Sequence, residues 1–489
     1  MVFNSFDFLI FFPIVVLIYY LIPHKVRYIW LLISSYYFYM CWNASYALLI
    51  LFSTVITYLG GLVTERISQK WKKPVVFLCI ATNLGVLGYF KYFNFFINSL
   101  NDVFGQWNIQ WEIAQVDVLL PVGISFYTFQ ALGYILDVYR RAVRAERNFL
   151  RYALFVSFFP QLVAGPIERS KDLLPQFKER HYFSLVQVRD GLVLMLGGYF
   201  LKLVIGDRIA VVVDTVYANP ESYGGYYIVI ATMLFAIQIY CDFGGYSTIA
   251  QGAAKVMGFH LTDNFDSPYL ARSVAEFWRR WHMTLSGWFR DYVYIPLGGN
   301  RKGKLRKYLN CIIVFGLSGL WHGAEWNFVV WGLLNGLYQV VGDLLKPLRH
   351  KASRVMRLNG ATFSHKLCQT VATFILVDFA WVFFRADNMT VALQMMDSVL
   401  HADNLHIIAD GSLYKLGLDW RNYMIMLLSI VVLLVVDFLK KRGVSVRSFL
   451  YKQELWFRWL VYIAGVLIIL IFGMWGVGYN EQGFIYFQF

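Results

Sequence analysis

The chain has 489 residues, of which 58% are hydrophobic, 19% aromatic and only 15% charged. That balance excludes a set of soluble domains and is what a polytopic membrane protein needs. The net charge of +14 is spread over short loops and not gathered on a soluble domain, so it argues for positive-inside loops and against nucleic acid as a partner.

The first element, MVFNSFDFLIFFPIVVLIYYLIP, has no Lys or Arg ahead of its apolar run and no small-residue cleavage site, so it reads as a retained span over 6–22. Apolar runs recur near 28–41, 44–63, 74–90, 118–138, 188–205, 226–241, 309–320, 326–345, 367–384, 423–438 and 458–477. Some have spanning length; others are short enough to be tilted, re-entrant or buried in protein. The expected fold is all-α, a single integral-membrane domain over 1–489 with roughly 10–12 membrane passes plus re-entrant or interfacial helices. Loop charge gives the orientation. Lys25 and Arg27 follow the first span, 42–46 has no Lys or Arg, and 64–73 has Arg66, Lys70, Lys72 and Lys73. Lys91 is alone in 91–117, whereas 139–151 has Arg140, Arg141, Arg144, Arg147 and Arg151. This alternation predicts an N-terminus outside and basic loops in the cytosol. Cys41, Cys79, Cys241, Cys311 and Cys368 match neither a disulfide framework nor a metal-ligand spacing, so a packing role is expected for each.

Charged and aromatic residues concentrate in DNFDSPYLARSVAEFWRRWHMTLSGWFRDYVYIPLGGNRKGKLRK, Asp263 to Lys307. Val274, Phe277, Trp278, Trp281, Leu285 and Trp288 recur at helical spacing, with Arg279, His282 and Ser286 beside or opposite them. One reading is an interfacial anchor, since indole tolerates the headgroup boundary and guanidinium stays wet. The other is the rim of a cavity, with His282 facing a polar substrate. GGNRKGKL, at 298–305, nearly spells a P-loop but has Leu305 where Ser or Thr would hold magnesium, so it reads as a basic turn. Its Arg301, Lys302 and Lys304 are candidates for donor phosphates.

From Cys311 to Tyr338 the only charged residue is Glu325, yet His322 stands in the middle, in GLWHG. An ionisable side chain at membrane depth is costly unless it faces protein or a wet cavity. The alternatives are a buried structural histidine and a proton-transfer group, and the flanking Gly319 and Gly323 suggest room for a ligand. No G-x-S-x-G elbow, H-E-x-x-H or Cys-His nucleophile pattern is present.

EFWRRWHMTLSGWFRDYVYIPLGGNRKG followed by GLSGLWHGAEWNFVVWG resembles the membrane-bound O-acyltransferase (MBOAT) family, in the branch containing the bacterial alginate O-acetylase membrane subunit. The similarity runs nearly end to end, through LGYFKYFNF, LLPVGISFYTFQALGYILDVYR, FFPQLVAGPIERSKDLLPQF and the terminal FIYFQF. One departure lies in YCDFGGYSTIAQG, which keeps Asp242 but has Thr248 where the family pattern places an acidic residue. The resemblance implies an MBOAT fold and a catalytic motif block over 263–345. It maps the family histidines to His282 and His322, and makes Arg279, Arg280 and Arg290 candidates for donor phosphates and Asp242, Trp281, Trp321 and Asn335 further site candidates.

It also implies acetyl-CoA as acyl-donor substrate, no permanently bound cofactor and no metal. The expected setting is the bacterial inner membrane, with an exported SGNH-hydrolase-like acetyltransferase partner and polysaccharide synthesis machinery, and an extracytoplasmic polysaccharide as the final acceptor. A thioester is already activated, so transfer to oxygen needs a base and oxyanion stabilisation. A neutral imidazole in an apolar span suits the first task, and His322 is the expected base. Two other readings stand beside this one: an acyl-carrier-dependent teichoic acid D-alanyltransferase, and a proton-coupled transporter. The second would show two matched halves, whereas the charged block occurs once.

Overall fold

A computed structural model describes residues 1–109, 111–117, 119–357, 359–475 and 484–485. Of the terminal FIYFQF, only Phe484 and Ile485 are among them; the rest of that motif lies outside the described residues. The described residues are helical, without a strand.

Among the described residues six helices are long and apolar enough to cross a bilayer individually: Ala44–Arg66, Gln69–Gln106, Tyr226–Val256, Phe363–Arg385, Trp420–Lys441 and Leu455–Phe472. A seventh forms if Trp326–Leu344 and Lys346–Val355, bent by 51° at their junction, count as one. The remaining apolar runs lie in helices that are shorter, such as Phe6–Leu21 and Ile124–Tyr139, or that carry a charged first turn, such as Gly303–His322. The count of roughly ten to twelve passes draws on these as well. In Leu455–Phe472 Ile469 is the one buried residue, so nearly the whole apolar helix is unburied, as the surface of a lipid-facing span is. The chain is therefore an all-α, multi-pass membrane protein.

Contacts group the chain into two compact units, one of Met1–Met195 with Ser247–Thr262, the other of Leu196–Tyr246 with Asp263–Ile485. In the first, Ser5 caps Phe6–Leu21 by accepting from the Phe8 amide at 3.2 Å, and Pro23 separates that helix from His24–Met40. Gly60 lets Ala47–Arg66 approach its neighbours, because a Cβ there would land on Cys79 Sγ. Small residues at such crossings are what close packing of membrane helices requires. The second unit holds the motif block. Cys79 and Cys241 are buried, but Cys41 and Cys368 are exposed, so a packing role does not extend to all five cysteines.

Candidate active site

The motif block begins with the helix Val274–Arg280, capped by Ser273, whose Oγ accepts from the Glu276 amide at 3.1 Å. The continuous helix suggested by the aromatic spacing is broken at Trp281 and His282. His282 takes left-handed φ/ψ of 43° and 54°, and a second helix, Met283–Phe289, starts after it. Backbone strain of this kind is held only where the surroundings over-determine it. Here Asn264 does so. Its carbonyl oxygen accepts from the Met283 amide at 3.0 Å, and its Oδ1 accepts from Thr284 Oγ1 at 2.9 Å, from Thr284 N at 3.3 Å and from His282 Nδ1 at 3.1 Å.

The break changes the meaning of the aromatic stripe. Val274, Phe277, Trp278, Trp281, Leu285 and Trp288 are all buried. Trp281 stacks on Phe277 at 5.4 Å and packs on Phe265 at 5.0 Å and Trp381 at 5.3 Å. This face is core, not an interfacial anchor.

His322 ends the helix Gly303–His322 and is 3% exposed. Trp321, Trp331 and Phe384 surround its ring at centroid distances of 4.9, 4.9 and 5.4 Å. The glycines beside it do not leave room for a ligand. A Cβ on Gly319 would strike the Phe328 carbonyl, and one on Gly323 the Phe328 ring; across the contact, Gly332 sits on the Phe315 carbonyl. They serve the close crossing of Gly303–His322 with Trp326–Leu344, which fixes His322 in place. The two histidines, forty residues apart in sequence, come to 6.4 Å between ring centroids, with Trp321 5.9 Å from His282. Phe243 closes the other side of His282 at 4.7 Å. His282 is wholly buried, and burial pulls its imidazole down to about 3, so the ring is neutral at physiological pH.

The other sequence candidates divide sharply. Trp321 belongs to the histidine wall. Trp281 is core beneath it. Asn335 ties two helices together, accepting from Trp278 Nε1 at 3.0 Å and donating to the Trp331 carbonyl at 2.9 Å. Asp242 pairs with Lys202, which also meets Asp207 at 2.8 Å, and accepts from the Ile485 amide at 2.5 Å, so its carboxylate is committed to a buried ion cluster. Arg280 is likewise committed, to Asp266 at 3.0 Å and Glu276 at 3.1 Å. Among the described residues no three His, Cys, Asp or Glu side chains gather as metal ligands would.

Arg279 and Arg290 line a cavity of about 1230 Å³ in the same unit. Arg272, Lys307, Lys346 and Arg349 line it too, four basic groups missed by the sequence reading, against a single carboxylate, Asp343, which pairs with Lys307 at 2.7 Å. For Lys346 and Arg349 the run KPLRHK at the end of an apolar segment was the visible signal. Arg301, Lys302 and Lys304 do not line the cavity; they are exposed on a turn at whose glycines, Gly298, Gly299 and Gly303, φ is positive. The inner lining includes Trp278, Phe315 and Ser318. Trp278 packs at 5.6 Å on Trp331, the ring that touches His322. One aromatic layer therefore links the cavity wall to the histidines.

A buried histidine pair, its His282 imidazole neutral, beside a cationic cavity in a helical membrane protein is an arrangement suited to moving an acyl group from a charged donor. Residues 140–377 match the model of the membrane-bound O-acyltransferase family. The chain is 38% identical over 408 residues to the probable alginate O-acetylase AlgI of Pseudomonas aeruginosa, covering 82% of this chain and 75% of that protein. It is 32% identical over 498 residues to the peptidoglycan O-acetyltransferase of Helicobacter pylori, covering 94% and 91%. Similarity to the teichoic acid D-alanyltransferase of Streptococcus thermophilus is 32% over 241 residues, 45% of this chain and 56% of that one. The chain belongs to the MBOAT family, and it is a membrane acyltransferase. The transporter reading falls with that result.

Proposed function

We propose that the chain, working as one O-acyltransferase domain over 1–489, takes acetyl groups from cytosolic acetyl-CoA and passes them across the membrane for O-acetylation of an extracytoplasmic polysaccharide. The observation that carries the proposal is the cationic cavity joined through Trp278 and Trp331 to the histidine pair. At about 1230 Å³ it exceeds the roughly 300–1,000 Å³ of ordinary small-molecule pockets, as a nucleotide-sized donor requires. Arg272, Arg279, Arg290, Lys346 and Arg349 suit the donor's phosphates. Arg301, Lys302 and Lys304 lie outside that cavity. Relatives that are O-acetyltransferases over most of their length support acetyl over D-alanyl.

In the reaction, an acceptor hydroxyl oxygen bonds to the thioester carbon and the carbon–sulfur bond breaks. The hydroxyl proton passes to His322 and from it to the departing thiolate, so the imidazole is restored. His282 stands beside it, positioning the donor or sharing the proton. The setting is the bacterial inner membrane, N-terminus outside, where an exported SGNH-hydrolase-like partner and polysaccharide synthesis machinery receive the acetyl group.

The test is His322→Gln in proteoliposomes supplied with acetyl-CoA and acceptor. Gln keeps a hydrogen bond but cannot take a proton at neutral pH. Acetyl transfer should fall by roughly 10²–10⁴-fold with folded protein at the wild-type level. Full activity would refute the base role, and loss of folded protein would indicate a structural histidine.

A further inference from the structure

Three groups meet Asn264 Oδ1: Thr284 Oγ1 at 2.9 Å, His282 Nδ1 at 3.1 Å and the Thr284 amide at 3.3 Å. The Thr284 amide can only donate, which identifies the atom as the amide oxygen and not the nitrogen. A carbonyl oxygen has no proton to give, so His282 Nδ1 must carry one. In a neutral imidazole the other nitrogen is then the acceptor. We propose that Asn264 is a positioning residue that holds His282 as the Nδ1–H tautomer and makes Nε2 its proton-accepting nitrogen.

The inference rests on the reading of the histidine pair above and decides between the two roles left to His282. A neutral ring with Nδ1–H bonded to Asn264 presents only a lone pair at Nε2. It can align a hydroxyl by accepting its hydrogen bond, or take its proton; it is not a cationic contact for a donor phosphate. The surroundings agree. Phe243, Phe265 and Trp321 face the ring at 4.7, 6.5 and 5.9 Å, and burial disfavours the imidazolium. The titratable group facing it from Gly303–His322 is His322. On Tyr226–Val256, next to Phe243, Asp242 is paired with Lys202; Asp266 and Glu276, on the segments before His282, are paired with Arg280. Because Asn264 also fixes Met283, through its main-chain carbonyl, and Thr284, through Oδ1, the left-handed turn and the tautomer are set by one residue.

The purified full chain in proteoliposomes is assayed with acetyl-CoA across pH, with folded protein quantified for each variant. Asn264→Asp keeps an oxygen for both Nδ1–H and the Thr284 amide but adds charge, so the tautomer survives and the ring becomes more basic. It should retain most activity near neutral pH, with the acid limb of kcat moved to higher pH. Asn264→Ala removes the partner and should lower kcat roughly 10–100-fold, part of the general-base contribution, with KM for acetyl-CoA unchanged. Thr284→Val removes only the hydroxyl partner and should stay within a fewfold of wild type. An unshifted pH profile in Asn264→Asp overturns the proposal even if Asn264→Ala fails to fold. So does an Asn264→Ala enzyme whose KM rises while kcat holds. Failure of the wider reading looks different, since His322→Gln would then stay active whatever Asn264 does.

Discussion

The two candidate functional regions of the second unit are built on opposite principles. Around His282 and His322 the walls are Phe243, Trp321, Trp331 and Phe384, both rings are buried, and burial pulls the His282 imidazole down. Around the cavity, the basic side chains Arg272, Arg279, Arg290, Lys346 and Arg349 stand at exposed positions. An imidazole base works only unprotonated, and an apolar enclosure keeps it so; a polyanionic donor needs solvated cations, which the same enclosure would make prohibitively costly. Separating the tasks by one aromatic layer serves both.

If the separation is real, damage to each region should appear in a different kinetic constant. The largest effect after His322→Gln is expected from His282→Ala: kcat should drop by roughly 10²-fold or more, with KM for acetyl-CoA within a fewfold of wild type. A KM effect alone would place His282 with the donor and dissolve the contrast. Next, Lys346→Glu with Arg349→Glu should raise KM for acetyl-CoA about tenfold or more, the loss of at least one charge-assisted contact worth about 1.5 kcal/mol, and leave kcat nearly unchanged. Raising salt should mimic this change in the wild type, because exposed charges are screened. The smallest effect belongs to the turn: Arg301, Lys302 and Lys304 changed together to Gln should alter KM by less than about twofold, since exposed charges outside the site contribute little. A tenfold change there would extend the donor site beyond the cavity.

Much of the molecule was legible in its sequence because the bilayer enforces local rules. Apolar runs had to become helices, since backbone groups in lipid must be satisfied within the segment. Positive-φ glycines explain why GGNRKG reads as a turn. The two histidines stood out because an ionisable group in an apolar stretch needs a reason. What the sequence could not determine depends on partners distant along the chain. Helical spacing made the tryptophans look like one interfacial face; Asn264 breaks that helix at His282, and Trp381 and Phe265 bury the indoles. Gly319 and Gly323 looked like space for a ligand, but Phe328 fills it. Arg280 and Asp242 looked available until Asp266, Glu276 and Lys202 paired with them. Periodicity records what a residue's own segment prefers; whether a charge is free, a ring exposed or a glycine's space empty is decided by the segments packed against it, and only the tertiary structure brings those together.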